Sequence, residues 1–181
     1  VKLMVAAGGE SKLHFESQLI ALGDPAIDAL RILLRSDADW PTLLRAVDAM
    51  GKLKAMKAIP EMCVLLGHPN AWVRIASAHA LGELGAAEVV PVLVTTLGDS
   101  SDTVVAAAVI AVGKIGDRQA VGPVGKLINH PNPRVRGSAV LALGRLGGQE
   151  ARELLRAKPP DEDSGVRFKT QKALQALQSQ P

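Results

Sequence analysis

Aromatic residues are scarce in this 181-residue chain, which has no Tyr, two Phe and two Trp. A compact globule of this length ordinarily fills its centre with more aromatic bulk. There is one cysteine, Cys63. It excludes an internal disulfide and fits a reducing compartment, so a cytoplasmic location is expected. The apolar runs are short and broken by Gly, Pro or charge, which excludes a membrane-spanning helix. No signal peptide is visible, and the chain opens on Val1, which fits a truncated or processed start. Charge of one sign is lacking too, with a net charge of +3. Residues 1–99 carry nine Lys/Arg against eleven Asp/Glu, and residues 100–181 carry twelve against seven. This mild imbalance fits ordinary solvated helix faces and is not a nucleic-acid signature.

Apolar residues make up 48% of the chain, and Ala, Leu, Val and Gly dominate them. Such small side chains suit thin layers of closely packed helices. They also recur. Ala49-Met50-Gly51, Ala80-Leu81-Gly82 and Ala111-Val112-Gly113 step by 31 residues, and Leu143-Gly144 and Ala173-Leu174-Gln175 continue the series. Pro60 and Pro91 keep the step, and Pro123 follows one residue late. Arg74, Arg136 and Arg167 share one repeat position, with Val105 between them. Self-similarity held at several independent positions marks a repeat architecture.

Each unit reads as two helices. Val73, Ser77 and Leu81 recur at helical spacing beside the small Ala78 and Ala80. Val89, Val90, Leu93, Val94 and Leu97 do the same in the following segment. The breaks are Gly67-His68-Pro69-Asn70, Gly98-Asp99-Ser100-Ser101 and His130-Pro131-Asn132-Pro133. Asn70, Asp99 and Asn132 are candidate helix caps. Gly82, Gly85, Gly144 and Gly147 are expected to end helices rather than to cradle phosphate. Neither helix of a pair buries a full apolar face alone, so pairs must stack. Ala78, Leu81, Ala108, Val109, Ala139 and Val140 are the expected contacts between layers.

The runs VRIASAHALGELG (73–85) and VRGSAVLALGRLG (135–147) resemble the HEAT-like repeats of phycobilisome lyases and many bacterial proteins. The resemblance implies an all-α fold, a right-handed α-solenoid of antiparallel helix pairs about 31 residues long, armadillo-like in its helical stacking. It covers five units, 24–54, 55–85, 86–116, 117–147 and 148–178, within a single domain over 1–181. Residues 1–23 read as a degenerate first repeat. In the last repeat the interlayer positions become Thr170-Gln171, flanked by Lys169, Lys172, Gln175 and Gln178. That pattern is expected of a polar cap at the end of the stack.

No constellation of residues points to catalysis, a cofactor or a metal, and a non-enzyme is expected. His68 and His130 occupy matching turns, at the position where Asp99 and Asp161 also sit, and read as turn residues. His79 reads as a surface histidine. The His-Glu pairs on which the deoxyhypusine hydroxylases depend are absent, since the four histidines precede Phe15, Pro69, Ala80 and Pro131. No zinc spacing exists. Cys63 lies in the run Met62-Cys63-Val64-Leu65-Leu66 and is expected to be buried. The resemblance gives Arg74 and Arg167 a structural role, pairing with turn acids of the same or the adjacent repeat, such as Asp99 and Asp161, in a partial ladder that Val105 and His130 interrupt.

The same resemblance places the second helix of each pair on the concave face. In repeat register its outward positions include Trp72, Ile75, His79, Ile110 and Leu141, with Ala106 and Gly137 between them. Arg45 and Asp48 lie at one edge, and Arg134, Lys169 and Lys172 at the other. An apolar strip with a charged rim is the profile of a protein-binding groove. The expected function is a scaffold holding a peptide, helix or protein domain on these residues, with Trp72 as anchor. Two alternatives follow from the resemblance. One is an accessory subunit of a bilin-lyase-like enzyme, which would bind a tetrapyrrole. The other is a nucleic-acid-binding HEAT-like protein, against which the apolar strip, Asp48 and Glu16 argue.

Overall fold

The structure is a computed structural model, and residues 21–178 are described. The degenerate repeat expected over 1–23 falls almost wholly outside them. Among the described residues every regular element is helical. The chain forms two compact units, Val1–Leu84 and Gly85–Pro181.

The first unit holds α1 (Asp24–Leu34), α2 (Trp40–Lys52), α3 (Ile59–Leu65) and α4 (Ala71–Leu84). The second holds α5 (Val90–Thr96), α6 (Asp102–Ile115), α7 (Val121–Gly125), α8 (Pro133–Leu146), α9 (Gly148–Ala157) and α10 (Ser164–Gln178). These are the expected pairs, a short helix followed by a longer one. Pro25, Pro60 and Pro91 fall in first turns, where a missing N–H leaves no intrahelical bond unmade.

In the first unit α2 packs on α4 around Val47, Met50, Val73 and Leu81. Its short helices are joined by charge: Glu61 on α3 is 4% exposed and takes Arg31 at 3.1 Å and Arg35 beside it. Burial pushes the Glu61 carboxyl up, and hydrogen bonds from Arg31, the backbone and Arg35, with the Arg31 charge, more than offset this, so its pKa is lowered. In the second unit α8 lies between α6 and α10. Val104, Val109, Val135, Leu143 and Leu177 fill the space between them. All six residues expected between layers, Ala78, Leu81, Ala108, Val109, Ala139 and Val140, are buried.

The glycines divide into two kinds, which corrects one expectation. Gly82 and Gly144 do not end their helices; α4 runs on to Leu84 and α8 to Leu146. Gly51, Gly113 and Gly144 are packing residues inside the last turns of their helices. A Cβ on Gly113 would stand 2.9 Å from the Cα and Cβ of Ala142, and one on Gly144 would stand 2.9 Å from the Cβ of Ala173. Gly51 meets Ala80 in the same way, at 3.2 Å. Chain reversal falls instead to the glycine three residues later: Gly85, Gly116 and Gly147 have φ of 70°, 80° and 71°. Lys54 holds the same repeat position and is forced to φ 51°.

Candidate functional site

Each second helix starts on a polar residue of the preceding turn. The Asn70 side chain accepts from Trp72 N at 2.8 Å, and Asn132 accepts from Arg134 N at 2.8 Å. Asp39 and Asp163, at the same repeat position, cap α2 and α10 by accepting from Thr42 N and Val166 N. Asp99, expected as a cap, does something else: its carboxylate accepts from Ser101 N at 2.8 Å, inside the turn. Asp161 accepts from Asp163 N, and His68 and His130 accept through Nδ1 from Asn70 N and Asn132 N. Four residues of two chemical kinds thus share one task, which is why His and Asp interchange here. The two histidines are turn residues, as expected.

The shared arginines close the same turns. Arg74 donates to the carbonyls of His68 and Pro69, Arg136 to those of His130 and Pro131, and Arg167 to those of Asp161 and Glu162. The ladder is made between adjacent repeats, one of the two arrangements expected, with Arg136 rather than Arg167 on the Asp161 carboxylate. Arg167 takes the Asp161 carbonyl, and the Asp161 carboxylate goes to Arg136 and to Lys158 at 2.9 Å. Hydrogen bonding to Arg136 holds the Asp161 carboxyl well below the usual carboxylate range, against the opposing effect of burial. Val105, buried, breaks the series.

The outward positions of the second helices are described unit by unit. In the first unit Trp72 is 63% exposed, His79 is exposed and Ile75 is half-buried. Trp40 is also exposed, on the first residue of α2. It lies one residue out of register with Trp72, whose repeat position in α2 is taken by Pro41. In the second unit Ile110 and Leu141 are half-buried and Ala106 and Gly137 are buried. Arg134 and Lys172 are exposed. Lys169 folds over Gly137, where a Cβ would meet its Nζ at 2.8 Å, and is half-buried. Phe168 is 63% exposed, with Lys172 Nζ 5.9 Å from its ring centroid. Glu16 lies outside the described residues. Cys63 is half-buried rather than buried. Among the described residues no group of His, Cys, Asp and Glu is placed to hold a metal ion, and no helix is long and apolar enough to cross a membrane.

Stacked helix pairs on a 31-residue step, with a packing glycine in the second helix and a shared turn arginine, define the architecture. A family profile described as HEAT repeats matches residues 27–112 and 96–178. The chain belongs to the HEAT repeat family. Its fold is that of the HEAT and armadillo α-solenoids. It is similar to a chain in the complex of CpcE and CpcF of phycocyanin lyase from Nostoc sp. PCC7120. Identity is 27% over 97% of this chain and 76% of that one, with a TM-score of 0.65. It is also similar to a designed armadillo repeat protein in complex with the peptide (KR)4, at 19% identity, 97% and 98% coverage and TM-score 0.67. YibA of E. coli matches at 16% identity, 98% and 72% coverage and TM-score 0.72. The chain has no match among curated proteins. The HEAT-like resemblance to the lyase type read from 73–85 and 135–147 is therefore sustained by family and structure alike.

Proposed function

We propose that this HEAT repeat protein is a scaffold without catalytic activity of its own, and that it binds a segment of another protein on the solvent-facing sides of its second helices. The observation that carries this reading is Trp72, 63% exposed at the start of α4. A partner that covers such a side chain gains about 25 cal/mol for each Å² of apolar area removed from water. Trp is one of the residue types enriched among interface hot spots. Ile75 and His79 extend the surface along α4. In the second unit Ile110 and Leu141 supply apolar contact, and Arg134, Lys169 and Lys172 supply charge. The test is affinity capture of the partner followed by measured binding of Trp72→Ala and of the control Lys52→Ala. A tenfold or greater loss confined to Trp72→Ala supports the reading, and equal, negligible losses sink it.

A second reading rests on the 27% identity to the chain of the CpcE–CpcF complex. In it the protein is an accessory subunit of a bilin-lyase-like enzyme. A visible-absorbance titration with an open-chain tetrapyrrole separates the two, because a perturbed, saturable spectrum is expected only under the second.

A further inference from the structure

Helices α8 and α10 carry Arg134, Arg136, Arg145, Arg167, Lys169 and Lys172, and not one carboxylate. Arg136 and Arg167 are engaged by the turns already described. The neighbouring α6 carries one acid, Asp102, in its first turn, and that carboxylate accepts from Asn132 Nδ2 at 2.8 Å. The acids of the helical layer behind, Glu150 and Glu153, belong to α9. Positive charge on the second helices of this unit is therefore not balanced along the helices that carry it. Apolar surface accompanies it: Phe168 is exposed beneath Lys172, and Ile110 and Leu141 are half-buried.

We infer that the face of α6, α8 and α10 takes an acidic, amphipathic segment of another protein. Its carboxylates would meet Arg134, Lys169 and Lys172, and its apolar side chains would cover Phe168 and Leu141. Charge complementarity selects an acidic partner and excludes a basic one, since like charges brought together at an interface cost several kcal/mol. The single aromatic residue of this unit, Phe168, favours protein over single-stranded nucleic acid, which binds through rows of stacking aromatics. Lys172 already lies over that ring and adds a cation beside the apolar contact.

This inference rests on the proposed scaffold function and adds the chemistry of the partner, so the experiment separates the two. A random peptide library is displayed and selected on the immobilised full chain. Selected peptides are expected to be net acidic with interspersed apolar residues. Binding of a synthesised selectant should fall at least tenfold for the double variant Arg134→Glu/Lys172→Glu and for Phe168→Ala. Arg156→Glu, on α9, should leave it unchanged. Circular dichroism checks that each variant keeps its helices. A neutral or basic selected pool overturns the acidic partner and leaves the scaffold reading standing. Selected acidic peptides that bind the double variant as well as the parent overturn the placement on this face. Tighter binding of oligothymidylate than of any selected peptide overturns the protein partner in favour of nucleic acid. Failure to select any peptide counts against both readings.

Discussion

Asp161 receives Arg136 Nη2 at 2.7 Å and Arg136 Nε at 2.8 Å, so a side chain from the first turn of α8 grips the turn that launches α10. Both residues are buried, and Lys158 completes the cluster. The bond runs between adjacent repeats and makes their stacking depend on one carboxylate being ionised.

The pH dependence follows from that. The folded-state pKa of Asp161 is depressed by Arg136 below the unfolded value of about 3.9. Its contribution is then fully present above the unfolded pKa and is lost as pH falls toward the folded one. Glu61, whose pKa is also lowered, acts in the same direction in the first unit. Urea midpoints measured from neutral pH down to about 3 should decline below roughly pH 4.5. The decline should be shallower in Asp161→Asn, which should also be less stable at neutral pH by about 2–3 kcal/mol. An Asp161→Asn variant with the parent's midpoint and pH slope would remove the cluster from the stability of the stack.

Gly113→Ala should destabilise the protein by about 1–3 kcal/mol. The new methyl would meet the Cα and Cβ of Ala142 at 2.9 Å, and backbone cannot swing aside as a flexible side chain can. Alanine's better helix propensity, about 1 kcal/mol, works the other way and is outweighed. Gly98→Ala is the control. Its nearest neighbour would be the Thr95 carbonyl at 3.6 Å, and a change within about 0.5 kcal/mol is expected. Thermal melts of the two variants decide the matter.

Lys54→Gly should stabilise the first unit by up to about 1 kcal/mol, because the left-handed region costs a side-chain-bearing residue about that much or more. The gain is reduced by the lost hydrogen bond from Lys54 Nζ to the Glu83 carbonyl. A lower melting temperature for the variant would show that this bond outweighs the backbone strain.

His68→Asp should be close to neutral in stability, since Asp99 and Asp161 perform the same task with a carboxylate. His68→Ala should cost about 1 kcal/mol by leaving Asn70 N–H without its acceptor. Equal losses for both variants, read from urea midpoints, would mean that the histidine matters for its ring and not for the bond it accepts.

Much of the fold could be read in advance because a repeat reports the same structural position several times. The interlayer residues were identifiable as small or branched aliphatic residues at fixed spacing, and they are buried. The glycines were harder. Gly144 and Gly147 look alike in a single unit, and only the approach of Ala173 makes one a packing residue while a positive φ makes the other a cap. Asp161 looked like the partner of Arg167, six residues away. The fold hands its carboxylate to Arg136 instead, because stacking brings a side chain 25 positions distant to the same turn.

For the candidate site the division is similar. By itself the sequence determined the helix pairs and their 31-residue step, because these depend on local periodicity and on the volume of the side chain at each repeat position. Only the tertiary structure decided how much of each outward side chain meets water. Trp72 and Phe168 stay exposed, whereas Ile110 and Leu141 are half covered and Lys169 bends back over the gap that Gly137 leaves. Exposure is set by how closely neighbouring helices approach. That distance depends on glycine and alanine contacts between chain segments about 30 residues apart, which no local pattern encodes.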